Sequence, residues 1–191
     1  QYVLFAKGEL IKYRDKDYHK AMEWLMRAIH VTLPDFNGRI PLRNNLLTYD
    51  EIMIINGIAI LHAKMNDIMT AIQLGMWLKE YMENKIVDGK MKTAKYPMIL
   101  YNLSNWFGDE KCHMEAFQMA EEGADFCVKY GNFVAFPILV FNKGASLAEL
   151  GMIDEAKKYL HQAITILEAM KKPKRVKIAI DWCKEHYDIE F

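Results

Sequence analysis

The sequence predicts an all-α fold built from stacked helix pairs, and three observations carry that prediction. Breakers are scarce, with 5 prolines and 10 glycines in 191 residues. Apolar residues recur at helical spacing, and no alternation of period two runs beyond a few residues. The third observation is a repeated frame in which a short polar turn leads into a small alanine. It reads YRDKDYHKA to Ala21, AKMNDIMTA to Ala71, FGDEKCHMEA to Ala116 and ELGMIDEA to Ala156.

Taken along the chain, the pattern predicts helices over 2–14, 17–31, 49–64, 67–84, 95–107, 111–130, 133–149, 152–170 and 174–187. Ala21, Leu25, Ala28 and Ile29 share one face of the second helix, Ala71, Leu74, Leu78 and Tyr81 one face of the fourth, and Ala156, Leu160, Ala163, Ile164 and Leu167 one face of the eighth. Between them, TLPDFNGRIPLRNN (32–45) carries two prolines and an Asn-Gly, KIVDGK turns at Gly89, and KKPK opens the last segment at Pro173. Asn45 reads as a turn or cap residue of the first of these loops. The small frame residue is demanded where the second helix of a pair crosses the first closely. A second small residue seven positions on (Ala28, Gly123, Ala163) lets the next pair stack, while Leu78 takes that place in the second pair.

The pairs form four repeats at about 2–31, 49–84, 95–130 and 133–170, with a capping helix at about 174–187, all within one domain spanning 1–191. FNKGASLAELGMIDEAKKYLHQAITIL fits the tetratricopeptide pattern through Gly144, Leu147, Gly151, Ala156, Leu160 and Ala163. The third repeat matches well. The first two are looser and each carries one additional turn residue. The frame alanines at 21, 71, 116 and 156 are further apart than the ~34-residue unit, so longer helices or loops take up the difference. The expected architecture is therefore a right-handed superhelical array of tetratricopeptide-like helix pairs.

Composition excludes several classes. With 25 basic and 25 acidic residues the formal net charge is zero, which argues against nucleic-acid binding by this chain alone. The longest uncharged apolar stretch, FVAFPILVF (133–141), is too short for a spanning helix, so no membrane role is expected. Three dispersed cysteines read as reduced thiols in a cytoplasmic protein. The six histidines show no HxxxH or HExxH, and Cys112 and His113, as sequence neighbours, diverge on a helix. With no phosphate loop and no nucleophile motif either, no catalytic residue, metal ligand or cofactor is assigned. The thirteen methionines read mainly as core filler, and KKPKR (171–175) as a solvated linker.

LTYDEIMIINGIAILHAKMNDIMTAIQLGMWLKEYMEN, YPMILYNLSNWFGDEKCHMEAFQMAEEGADFCVKYGN and PILVFNKGASLAELGMIDEAKKYLHQAITIL together resemble the helical sensor region of bacterial helix-turn-helix transcriptional regulators, in particular the Rgg/PlcR-like regulators of Gram-positive bacteria. That resemblance implies a tetratricopeptide-like array that binds a short signalling peptide and dimerises, fused to an N-terminal DNA-binding domain. Gln1 in place of an initiator methionine points to sequence upstream, and any contact with DNA belongs to that domain. The alternative is a general tetratricopeptide scaffold docking a segment of another protein.

First helices of stacked pairs line a concave face, so equivalent positions form ladders across it. Aligning FAKGEL, INGIAI, YNLSNW and FNKGAS puts Phe5, Ile55, Tyr101 and Phe141 on one ladder and Asn56, Asn102 and Asn142 on the next, with Asn105 one turn on. An Asn amide offers both donor and acceptor and can hold the backbone of an extended peptide. His62, Glu149, Lys12 and Tyr13 are candidates for the groove rim. On the last helix Val176 belongs to one apolar side while Ile178 and Trp182 lie off it; two apolar sides on a terminal helix suggest a homodimer through Val176, Ile178 and Trp182.

Overall fold

A computed structural model describes residues 1–39, 46–84 and 89–189. Asn45 and most of the KIVDGK turn lie outside them. Among the described residues the chain forms nine α-helices and no strand. These are α1 (Tyr2–Leu10), α2 (Tyr18–Ile29), α3 (Tyr49–Lys64), α4 (Ile68–Asn84), α5 (Gly89–Asp109), α6 (His113–Tyr130), α7 (Phe136–Glu149), α8 (Ile153–Ala169) and α9 (Pro173–Tyr187). The all-α fold class read from the sequence is the observed one. The chain groups into two compact units, Gln1–Met91 and Lys92–Phe191.

The turn inside each pair has one construction. Lys16, Asn66, Lys111 and Gly151 all have left-handed backbone (φ 54°, 66°, 60° and 79°), and each stands five positions before its frame alanine. In three of the turns the amide after the left-handed residue closes back on the helix just ended, from Asp67 to the His62 carbonyl, Cys112 to Phe107 and Met152 to Leu147. The second turn, 65–67, is thus no longer than the third or fourth. In the first pair the additional residue is taken up as a π-helical turn, Ile11–Asp15, continuing α1.

In the first unit α1 crosses α2 closely. A Cβ on Gly8 would stand 2.7 Å from Leu25 Cδ2 and 3.3 Å from the Ala21 carbonyl oxygen, so both small residues are needed there. Thr48 and Glu51 start α3 with a reciprocal capping box, and Asp17 caps α2 through the Lys20 amide. The Tyr81 hydroxyl accepts from the Leu47 amide at 2.6 Å, tying the segment before α3 to α4. Lys12 is buried and paired with Glu9 at 2.5 Å, while Tyr13 is 72% exposed.

The second unit repeats the crossing between α7 and α8. A Cβ on Gly144 would meet Leu160 Cγ at 2.7 Å and the Ala156 carbonyl oxygen at 3.1 Å. Helix α5 starts six residues before the expected 95 and carries Pro97 in its interior. Proline has no N–H to give the Thr93 carbonyl, and Asn132 Nδ2 donates to that oxygen at 2.7 Å instead. Helix α7 begins at Phe136 with Pro137 in its first turn, and α9 begins at Pro173. Val176 and Ile180 of α9 pack on Ile164 and Leu167 of α8, and Cys183 and Ile189 pack on Leu147 and Ala148.

Candidate ligand-binding clefts of the second unit

Three helices of the second unit present stripes at helical spacing to one face. Helix α5 contributes Met98, Tyr101, Asn105 and Gly108; α7 contributes Ile138, Phe141, Asn142, Ala145 and Glu149; α9 contributes Arg175, Ile178, Trp182 and His186. The earlier members of all three stripes line an apolar cleft of about 420 Å³, whose walls include Tyr101, Ile138, Phe141, Ile178 and Trp182. The later members line a polar cleft of about 380 Å³ containing Ser104, Asn105, Asp109, His113, Asn142, Glu149 and His186. Phe141 and Trp182 belong to both, their rings packed edge to face at 5.3 Å, and so form the wall at which the environment changes. Each volume lies in the range of about 300–1,000 Å³ usual for small-ligand sites.

The polar cleft is built around one amide pair. Asn142 Nδ2 donates to Asn105 Oδ1 at 2.8 Å and to Ser104 Oγ at 2.6 Å, and Ser104 Oγ donates to the Tyr101 carbonyl at 2.9 Å. These bonds join α5 to α7. They use neither Asn142 Oδ1 nor Asn105 Nδ2, so one acceptor and one donor of the pair remain for other work. At the far end Glu149 accepts from the Tyr187 hydroxyl, and His113 Nε2 stands 3.8 Å from the other carboxylate oxygen. Burial and the bond to Glu149 hold the Tyr187 phenol well above its ordinary pKa, so it stays a donor at neutral pH. The His186 ring stacks on Trp182 at 4.5 Å, with Nδ1 2.9 Å from the Trp182 carbonyl oxygen.

The residues singled out in the sequence divide between the two units. Tyr101 and Phe141 share the apolar cleft, Asn105 and Asn142 the polar one, and Asn102 is half-buried on α5. In the first unit Ile55 is fully buried and Asn56 is 5% exposed. Phe5 is half-buried on α1, near Gly57 of α3. His62 has both ring nitrogens engaged, Nδ1 with Asp67 Oδ2 at 3.1 Å and Nε2 with the Gly38 carbonyl at 3.0 Å. Of the α9 residues, Val176 packs against Ile164, Leu167 and Ala179, Trp182 closes the clefts, and Ile178 is 67% exposed on the apolar cleft.

Sequence reasoning missed Ser104, Asp109, Ile138, Arg175, His186 and Tyr187. The signal was available on α9, where Arg175, Ile178, Trp182 and His186 follow one another at intervals of three and four. Burial pushes the Cys127 and Cys183 thiols up to about 11, leaving them protonated and unreactive at neutral pH. Among the described residues no group of three His, Cys, Asp or Glu side chains is placed to hold a metal, and no helix is long and apolar enough to cross a membrane.

No family model and no curated protein matches the chain. Among solved structures the chain is similar to Bacillus thuringiensis PlcR, crystallised in complex with the peptide PapR7 and DNA. The match has a TM-score of 0.68 and 16% sequence identity over 91% of this chain, and the chain spans 60% of that protein's length. At that identity what is shared is the fold: this chain has the all-helical architecture found in PlcR.

Proposed function

We propose that this chain is the ligand-sensing domain of a transcriptional regulator, that it binds a short peptide in the adjoining clefts of the Lys92–Phe191 unit, and that occupancy governs a helix-turn-helix domain of the same cytoplasmic protein. One observation carries the reading: three stripes, from α5, α7 and α9, converge on a half-apolar, half-polar trough. The likeness in fold to PlcR, a protein crystallised with a peptide and DNA, supports it. In this reading Tyr101 and Phe141 shape the side-chain pocket. Asn142 Oδ1 and Asn105 Nδ2 take a backbone N–H and C=O of the extended ligand, with Asn102 beside them. Phe5, Ile55 and Asn56, first placed on the same ladders, and His62, first placed at the groove rim, act instead as the framework of the first unit.

Signal transmission follows from Trp182, which is at once a wall of both clefts and part of α9. A ligand that packs on its indole prefers one setting of α9 over another, and that differential contact is what a binding event needs in order to shift an equilibrium. Homodimerisation through the exposed edge of α9 at Ile178 is part of the proposal.

Titration with pools of linear hexapeptides, read by calorimetry, tests it. Asn105→Ala and Asn142→Ala should each weaken binding by about 5- to 150-fold, the equivalent of ~1–3 kcal/mol for a peptide group left without its partner. Asn142→Ala also cuts the bonds that join α5 to α7 and should lower the melting temperature, so its binding loss is read well below that temperature. Variants that melt early but bind normally would reduce the asparagines to struts between helices. Capture of folded protein tails with no response to short peptides would favour the scaffold reading. For the dimer, sedimentation of Ile178→Glu should show monomers at tens of micromolar where the parent chain shows dimers, and an unchanged parent-like dimer rejects this interface.

A further inference from the structure

We infer that the paired clefts hold their ligand in one direction, with an ammonium group against Asp109 and Glu149 and a carboxylate toward Arg175, so that the ligand is a linear peptide with both termini free and its large apolar side chains near the carboxyl end. The inference rests on the peptide-site reading given above. It comes from the distribution of charge along the trough. Among the described residues lining the polar cleft, the charged side chains are Asp109 and Glu149, accompanied by His113 and His186 and by no lysine or arginine. Among those lining the apolar cleft the charged side chain is Arg175, which stands in the first turn of α9 just after Lys171, Lys172 and Lys174. The trough is acidic at its polar end and basic at its apolar end.

A ligand carboxylate placed in the polar cleft would face two like charges, whereas an ammonium there gains two charge-assisted partners. Glu149 is prepared for this role. The Tyr187 hydroxyl fixes one of its oxygens, and its side of the cleft is open, with 43% of the side chain exposed. At the other end the guanidinium of Arg175 offers the fork geometry that suits a carboxylate, next to a pocket walled by Ile138, Phe141, Ile178 and Trp182. A peptide bound in this sense puts its last side chains into the apolar cleft. Its backbone midway passes the wall of Phe141 and Trp182 and reaches the Asn105–Asn142 pair. A fatty acyl chain, an N-acylated peptide or a dicarboxylate satisfies one end only.

The test uses the whole chain and four pools of linear pentapeptides whose three carboxyl-terminal positions carry Leu, Ile or Phe. One pool has free termini, one is N-acetylated, one is C-amidated, and one carries the apolar residues at the amino end. Calorimetry and Trp fluorescence report binding. The free pool should bind tightest, and each cap or the reversed order should weaken it by about tenfold or more. In Asp109→Asn/Glu149→Gln the acetyl cap should cease to matter, and in Arg175→Gln the amide cap should cease to matter; these side chains lie at exposed positions, so folding is preserved. Equal binding of capped and free pools, or preference for the reversed pool, overturns the direction while leaving a peptide site standing. Failure of every pool to bind at about 1 mM overturns the peptide reading itself, and the direction with it.

Discussion

The two units use the same crossing and make different surfaces of it. Gly8 over Ala21 and Leu25 in the first unit has its counterpart in Gly144 over Ala156 and Leu160 in the second, with a 2.7 Å approach from a built Cβ to the leucine in each. Yet the residues at the aligned ladder positions differ in fate. On α3, Ile55 and Asn56 are buried along with Ile52, Ile54, Ile58 and Leu61, so that helix is apolar on nearly every side. On α5 and α7 the corresponding Tyr101, Asn102, Phe141 and Asn142 are half-exposed, and all but Asn102 line a cleft. A repeat frame dictates how a helix pair closes, and the all-round composition of its first helix decides whether that helix can also serve a ligand.

The largest expected effect separates the ladders directly. Ile55→Ala removes a fully buried side chain and should cost about 2–5 kcal/mol of stability, read by urea denaturation, because the cavity it leaves is lined by packed neighbours. Tyr101→Ala, cut from a half-open cleft wall, should cost clearly less. Similar losses at both positions would mean that the second unit's ladder is core as well.

Next in size, the shared crossing should respond alike in both units. Gly8→Ala and Gly144→Ala each force a methyl against a leucine at 2.7 Å and against a backbone oxygen behind it, and should each destabilise by about 1–3 kcal/mol. A loss at one site alone would show that the crossings are alike in outline only.

These two crossings also show how far the sequence could be read. The turn-to-alanine frame located every helix pair, because a close crossing demands small residues at fixed positions and that demand is local. What a helix faces on its other sides is not local. INGIAI and YNLSNW align residue for residue, but the isoleucines around Asn56 were the signal that this face closes, and the polar Ser104 and Asn105 beside Asn102 the signal that it opens. Nothing local marks the six residues by which α5 precedes 95: the side chain that takes the place of the missing Pro97 N–H, Asn132, lies 39 residues on in sequence from Thr93. The clefts were half legible: Tyr101, Asn105, Phe141 and Asn142 came from the ladders, while the place of Trp182 and Ile178 in the cleft walls shows only when α9 is set over the trough beneath it.

Thiol chemistry offers a finer comparison within the second unit. Cys112 is exposed in the α5–α6 turn, whereas Cys127 and Cys183 are buried with thiols held near 11. A disulfide reagent at pH 8 should therefore modify one thiol per chain quickly and the other two only on unfolding. Raising the pH towards 11 promotes thiolate formation at the buried pair, and because their pKa is raised above the unfolded value, the neutral folded state loses stability as pH climbs past about 9. Rapid reaction of all three at pH 8 would place the α6 and α9 packing in doubt.

The smallest effect concerns the turns. Lys16, Asn66 and Lys111 hold left-handed backbone where the fourth pair has Gly151. A side chain in that conformation costs roughly 1–2 kcal/mol, less for asparagine, while glycine there gives back about 0.5–1 kcal/mol through the greater freedom of the unfolded chain. Lys111→Gly should thus stabilise by a net ~0.5–1 kcal/mol, Asn66→Gly by less, and Gly151→Lys should lose about what Lys111→Gly gains. Melting temperatures of the three variants check the ranking. If Lys111→Gly destabilises instead, the lysine is holding the α5–α6 turn through its side chain, and the equivalence of the four turns, on which the comparison of the two units rests, is limited to their backbones.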